Sequence, residues 1–253
     1  MIAVSLQSGS NGNCTYVECD GVRLLFDAGL GGRETARRLA DHGRDARDVT
    51  ALIISHDHGD HVRCAGVLHR MYGIPVFATR KTFRTAGRRL GSLTSVEHFE
   101  AGATLEFGVL RVETLATPHD GADGVAFVVQ AGRKRLGILT DLGHVFAGLP
   151  EVVSSLDGVF IESNYDERML KEGPYPWFLK ERIRGPGGHI SNAESAELMR
   201  TCAAPRLKWA CLAHLSEVNN EPGLALRTHR RAWARGFPLH VADRHASVGP
   251  FEL

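Results

Sequence analysis

Seven residues, Ser55-His56-Asp57-His58-Gly59-Asp60-His61, limit what this chain can become more than any other stretch. They follow the run Ala51-Leu52-Ile53-Ile54, which reads as a buried strand because it is short, continuously apolar and bounded by polar residues. The loop therefore leaves a strand at its carboxyl end, where α/β folds place their chemistry. Three imidazoles and two carboxylates crowd it. Borderline ions such as zinc favour histidine nitrogen, and harder ones such as manganese favour carboxylate oxygen, so this set suits either. In an extended or turning segment His56 and His58 point to one side, while Asp60 and His61 turn towards a second. That is enough for two half-built metal positions. A solvated surface loop would explain one such histidine, but three with an aspartate at H-x-H-x-D-H spacing argue for metal.

The same arrangement recurs downstream. Leu110, Val112 and Leu115 lead to Thr117-Pro118-His119-Asp120, and the strand Arg135 to Leu139 ends in Thr140-Asp141. Gly158 to Ile161 ends in Glu162-Ser163-Asn164, and Trp209 to Ala213 ends in His214. Upstream, β-like runs over Ile2 to Leu6, Thr15 to Cys19 and Val22 to Phe26 enclose an Asp20-Gly21 hairpin signal and the stretch Ser8-Gly9-Ser10-Asn11-Gly12-Asn13. That stretch lacks the lysine and spacing of a P-loop, and is either a structural turn or one wall of a site. Helices are expected after the metal loop around Val62, Ala65 and Leu68, over Arg33 to His42, over Ala193 to Thr201 with Ser191 or Asn192 as cap, and over Glu221 to Arg235. Short helices are expected between Tyr165 and Ile183, and a last strand over Phe237 to Val241. Arg80, Arg84 and Arg88 recur at i, i+4, i+8, so one helix there would align them as a solvated face or a phosphate-backbone track.

At 253 residues with 43% apolar content, the chain can hold one large α/β domain. No repeat, low-complexity run or linker divides it, so residues 1–253 are expected to form a single domain. A formal net charge of +1 does not mark a nucleic-acid binder, and any such role needs local basic clusters, as around Arg80 to Arg89 and Lys180 to Arg184. Cys14, Cys19, Cys64, Cys202 and Cys211 are odd in number and scattered, which suits a reducing cytoplasm better than a disulfide framework. The first residues have no basic lead and too short an apolar core for a signal peptide. No run approaches the ~20 apolar residues that span a bilayer, so no membrane role is expected.

The H-x-H-x-D-H spacing resembles that of the metallo-β-lactamase superfamily of metal-dependent hydrolases. Further stretches resemble its YycJ/WalJ-type branch, whose members are described as DNA exonucleases or exonuclease-like proteins. They are Ser8 to Cys14, Glu162-Ser163-Asn164-Tyr165-Asp166, Gly173-Pro174-Tyr175-Pro176, Gly188-His189-Ile190-Ser191-Asn192 and His214 to Asn220. The resemblance implies a four-layer αββα sandwich, which the alternating strand and helix runs also suit. By the superfamily pattern His56, His58 and His119 match one metal site. Asp60, His61 and His214 match the other, with Asp141 as the bridging carboxylate. Two divalent ions, zinc or manganese, would share a bridging hydroxide as nucleophile. A structural metal site is usually closed by four ligands and often rich in cysteine, so seven histidine and aspartate candidates favour catalysis.

His189 resembles a phosphate-contacting histidine of related metallo-nucleases, with Ser191 and Asn192 as partners on the phosphate. It could bind a non-bridging oxygen or protonate the leaving alkoxide, while Asp60 would serve the catalytic centre as well as a metal. Asp27, Asp57 and Glu162 are expected behind the ligands rather than among them. Histidine often occupies the place of Tyr165 in the branch, which leaves a role there in doubt. About seventy residues separate Asp141 from His214, too few for the inserted cap domain of larger superfamily nucleases. The expected activity is a metal-dependent phosphodiesterase or nuclease, a DNA exonuclease. The alternative is a hydrolase of a small thioester, lactone or cyclic phosphodiester at the same centre.

Overall fold

Alternation along the strands sorts the apolar side chains into three layers. Leu24, Phe26, Phe127, Val129, Phe160 and Cys211 fall in one buried cluster, while their sequence neighbours Leu25, Ala126, Val128, Ile161 and Leu212 fall in two others. A strand side-chain period of two produces this split only if both faces of each sheet are covered. The computed structural model describes residues 1–232 and 237–253.

The first half of the chain forms β1 (Ile2–Gln7), β2 (Cys14–Cys19), β3 (Val22–Phe26), α1 (Gly32–Asp41), β4 (Ala51–Ile53), α2 (Gly59–Val62), α3 (Ala65–Tyr72), β5 (Val76–Thr79), α4 (Arg80–Ala86) and β6 (Val96–Phe99). There follow β7 (Thr104–Phe107), β8 (Leu110–Ala116), β9 (Val125–Ala131), β10 (Lys134–Leu139), α5 (Leu149–Ser154) and β11 (Gly158–Glu162). The remainder forms α6 (Glu167–Glu172), α7 (Trp177–Arg184), α8 (Asn192–Cys202), β12 (Trp209–Ala213), α9 (Pro222–Ala232), β13 (Leu239–Val241) and β14 (Val248–Glu252).

Two seven-stranded sheets result, in the orders β14-β1-β2-β3-β4-β5-β6 and β13-β12-β11-β10-β9-β8-β7. Between them lies the first cluster. Leu39 of α1, Leu68 of α3 and Ala86 of α4 cover the outer face of the first sheet. Val153 of α5, Leu198 of α8 and Ala225 of α9 cover that of the second. The architecture is the four-layer αββα sandwich. Pairs β3/β4 and β4/β5 run parallel, as do β10/β11 and β11/β12, so the carboxyl ends of these strands gather at one rim.

Two expectations change, and one runs beyond the described residues. The last strand is Val248–Glu252, which pairs antiparallel with β1 at the sheet edge. It carries Pro250, whose missing N–H is tolerated at an edge. The helix that was to align Arg80, Arg84 and Arg88 stops at Ala86, because Gly87 turns at φ +46°. Arg88 then falls in a 3₁₀ turn, so the three do not form one helical stripe. The helix begun at Pro222 is described to Ala232, and residues 233–235 of the expected span lie outside the described residues.

Close approach of backbones fixes the rim. Gly29, just past β3, sits so near the metal loop that an added Cβ would lie 1.7 Å from the Asp60 carbonyl oxygen and 2.5 Å from the Asn13 nitrogen. Gly29→Ala is therefore expected to lower the melting temperature by about 2–12 °C, from an overpacking loss of about 1–3 kcal/mol at ~2–4 °C per kcal/mol. Gly59→Ala, where nothing lies within 4 Å of the added carbon, should leave it nearly unchanged. Equal melting temperatures for the two variants would contradict this packing.

Candidate metal centre

Each functional side chain stands just past a strand at the shared rim. Asp27 follows β3, His56, His58, Asp60 and His61 follow β4, and His119 follows β8. Asp141 follows β10, Glu162 closes β11 and His214 follows β12. Asp27, Asp141 and His214 take left-handed backbone conformations, with φ of +65°, +56° and +56°. Non-glycine residues rarely adopt these angles, at a cost of about 1–3 kcal/mol each. The turn tips each side chain out of its strand's alternation and into the centre.

Acceptor-only partners behind the ring fix the orientation of most imidazoles. His61 donates from Nδ1 to Asp27 Oδ2 at 2.8 Å, and His119 from Nδ1 to the Gly188 carbonyl at 2.8 Å. His214 and His189 donate from Nδ1 to the same Glu162 oxygen, at 3.1 and 2.8 Å. The Ser55 hydroxyl joins His56 Nδ1 to Asp27, each at 2.9 Å. The opposite nitrogens then face the centre. His61 Nε2 lies 3.4 Å from both Asp60 and Asp141, and His119 Nε2 lies 3.6 Å from Asp141. His119 Nε2 is also 3.2 Å from His58 Nδ1.

Burial and charge pull against one another here. Burial alone would lower the His214 pKa, but Asp141, Asp60 and Glu162 outweigh it and push it up to about 10. His61 is raised well above its ordinary value in the same way, burial being outweighed by Asp141, Asp27 and Asp60. His56 goes the other way: it is fully buried, its neighbours are His61, His119 and His58, and its pKa falls well below normal. Despite burial, His61 and His214 hold Asp60 far below the usual carboxylate range, and His189 and His214 do the same for Glu162.

Two buried atoms, His56 Nε2 and Asp141 Oδ2, make no hydrogen bond among the described residues. An unpaired acceptor in such a place is costly, and a cation would satisfy both. His56, His58 and His119 bring nitrogens within 4.8 Å of one another, as do Asp60, His61 and His214 with their ligand atoms. His56, His61 and Asp141 form a third such group, so Asp141 stands between the two. The donor set of nitrogen and oxygen without sulfur fits divalent metal. A fourth group, Asp141, Glu162, His189 and His214, competes for the same place.

Two expected phosphate contacts lie off the cavity. Ser191 is fully buried as the cap of α8, in a reciprocal capping box with Glu194. Asn192 is buried in a network with Ser163 and Asn220. Neither side chain lines the metal cavity, whereas His189 does. Asp57 accepts from the Ala122 amide at 2.7 Å, tying the metal loop to the segment after His119. Tyr165 lies outside this cavity and lines a neighbouring one.

Other participants were not read from the sequence. Asn13 reaches Asp60 at 3.2 Å and His61 Nε2 at 3.0 Å, so the glycine-rich stretch is a wall of the site and a brace at once. Asn164 donates to the His214 carbonyl at 2.8 Å. Asp120 lies 3.3 Å from His58 Nε2 and accepts at 2.6 Å from Arg182, whose helix closes the cavity. Only the adjacency of Asp120 to His119 hinted at it; Arg182 is brought across 62 positions.

In the metal-free protein His214 faces carboxylates at both ring nitrogens. Its folded pKa of about 10 exceeds the ~6.5 of a free imidazole. These ion pairs therefore stabilise the metal-free fold fully below about pH 6.5 and weaken as pH rises towards about 10. The melting temperature of chelator-treated protein should fall across that window. The metal-loaded form, whose cations have displaced such protons, should hold level. A flat metal-free profile in scanning calorimetry would contradict the assignment.

A model of the metallo-beta-lactamase superfamily matches residues 8–200. A Streptococcus pneumoniae protein named exodeoxyribonuclease WalJ is 37% identical over 227 residues, covering 88% of this chain and 84% of its own. A Bacillus anthracis protein named exodeoxyribonuclease YycJ is 35% identical over 222 residues, covering 87% and 84%. The crystal structure of the metallo-beta-lactamase fold protein YhfI from Bacillus subtilis superposes with a TM-score of 0.74 at 15% identity, over 98% of each chain. The chain belongs to the metallo-beta-lactamase superfamily, on the branch of the WalJ and YycJ proteins.

Proposed function

We propose that this chain is a metal-dependent phosphodiesterase that degrades DNA from its ends, an exodeoxyribonuclease. One observation carries it: a cavity of about 230 Å³ joins the clustered imidazoles and carboxylates to Arg182 and to His189, whose ring packs beside His119 and His214. The clustered groups suit cations, and Arg182 with His189 suits a phosphate next to them. The names of the WalJ and YycJ relatives favour DNA over RNA or a small ester.

His56, His58 and His119 would hold one divalent ion, and Asp60, His61 and His214 the other, with Asp141 shared; zinc and manganese both suit these donors. Ions there supply Lewis acidity towards the phosphoryl group and acidify a water near neutral pH. Arg182 binds a non-bridging phosphate oxygen, its guanidinium aimed by Asp120. Glu162 holds His189 by Nδ1, which leaves Nε2 to deliver a proton to the departing alkoxide. Asp27 and Glu162 set the ring orientations. The five cysteines are free, as suits a reducing cytoplasm, and no helix among the described residues is long and apolar enough to cross a membrane; residues 1–253 are read as one domain without an inserted cap.

Metal-depleted protein reloaded with manganese or zinc is expected to shorten end-labelled DNA stepwise. His189→Ala should keep its metal content yet lose roughly 10²–10⁴-fold in turnover, the size of a general-acid effect. A nitrophenyl phosphodiester, whose leaving group needs little protonation, should recover much of that loss. An equal deficit on both substrates would make His189 a phosphate binder, and loss of metal would make it a ligand. Absence of cleavage on every DNA end with either metal would defeat the nuclease reading.

A further inference from the structure

The helix that closes the metal cavity carries on its outer side the two most exposed large apolar side chains among the described residues. Trp177 is 75% exposed and Phe178 is 68% exposed, adjacent in the first turn of α7. Tyr175, Leu179, Arg182 and Ile183 line the metal cavity. Trp177, Lys180 and Arg184 line a second cavity of about 600 Å³. Residues three and four apart share a helix face, so Leu179, Arg182 and Ile183 lie on one face of α7 and Trp177, Lys180 and Arg184 on the opposite one. A single helix forms the partition between the two cavities.

An exposed tryptophan beside an exposed phenylalanine contributes little to folding, because neither leaves water. Charge at the second cavity is balanced: Lys171, Lys180 and Arg184 are matched by Glu167, Glu181 and Glu194. Lys180 already donates to the Lys171 carbonyl, and Arg184 is paired with Glu181. No surplus positive charge is left for a phosphate track. What the surface offers is aromatic area, and every nucleobase has a face to stack on it.

We propose that Trp177 and Phe178 form a stacking ledge for the unpaired end of the nucleic-acid strand whose phosphate lies in the metal cavity. The inference rests on the nuclease reading and adds where the strand runs. An α-helix is about 10 Å across, and stacked nucleotides advance by ~3.4 Å each. A strand crossing α7 from the metal cavity therefore brings its bases onto the ledge within about three nucleotides. Stacking tolerates every sequence, which suits an enzyme that removes nucleotides one after another. Bases inside a duplex are already stacked on both faces, so a duplex end must open by about three nucleotides for them to engage.

Binding of a labelled mixed-sequence single strand to the metal-free full chain, followed by anisotropy, reads the ledge without cleavage. Trp177→Ala should bind about tenfold to a hundredfold more weakly, the loss of one stacked base. Trp177→Phe should keep most of the affinity, and since the side chain is exposed neither change should disturb the fold. A strand with abasic sites at its last three positions should bind the native protein at least as weakly as the intact strand binds Trp177→Ala. Native affinity in Trp177→Ala, or an equal loss on intact and abasic strands, would overturn the proposal. So would a sedimentation result in which the native chain is a dimer and Trp177→Ala a monomer, since a second copy would then cover the face. Metal-loaded Trp177→Ala that cleaves single strands with unchanged KM would sink the ledge and leave the nuclease reading standing. If loaded native protein cleaves nothing but the base-dependent binding is found, the nuclease reading fails and the ledge remains.

Discussion

Asp141 is a carboxylate buried where two sheets meet, with one oxygen lacking any hydrogen bond among the described residues. An isolated charge in that position would be neutralised or expelled. It stays ionised because His214, His61 and His119 surround it, their charges outweighing the burial that would raise its pKa. Those imidazoles are in turn held by Glu162, Asp27 and the Gly188 carbonyl. The arrangement is self-consistent only with several strands ending at one rim. The packed layers on both faces of each sheet make that rim rigid enough to hold three left-handed residues in place.

From this constraint the division of labour follows. The strand ends supply groups that can surround cations, helix α7 lines the cavity they open into, and His189 packs beside His119 and His214. Glu162 links the two halves, because one of its oxygens serves both His214 and His189, and the other accepts the Leu142 and Ile190 amides. Asp120 links them on the other side, between His58 and Arg182. On the proposed reading, a phosphodiester held between bound cations and these residues would meet a phosphate anchor and a proton donor without any movement of the sheets.

Much of this was legible in the chain because apolar strand and chemical residue are contiguous. Ala51 to Ile54 announces the loop after it, and the runs before His119, Asp141 and His214 do the same. What could not be read are contacts between segments far apart: Asn13 on Asp60, Arg182 on Asp120, Asn164 on the His214 carbonyl. Ser191 and Asn192 misled for a physical reason. Hydroxyl and amide groups next to a histidine suit phosphate, but they also suit the start of a helix, and capping α8 claimed Ser191. The edge strand β14 went unread, and the arginine stripe was expected across Gly87, whose turn ends the helix that would have aligned it.

Anomalous scattering from crystals grown with manganese, and separately with zinc, tests the central claim most directly. The account requires two peaks flanking the Asp141 carboxylate, one among His56, His58 and His119 and the other among Asp60, His61 and His214. A single peak would contradict it. So would a peak enclosed by Asp141, Glu162, His189 and His214, the competing group, since His189 would then be a ligand and not a proton donor.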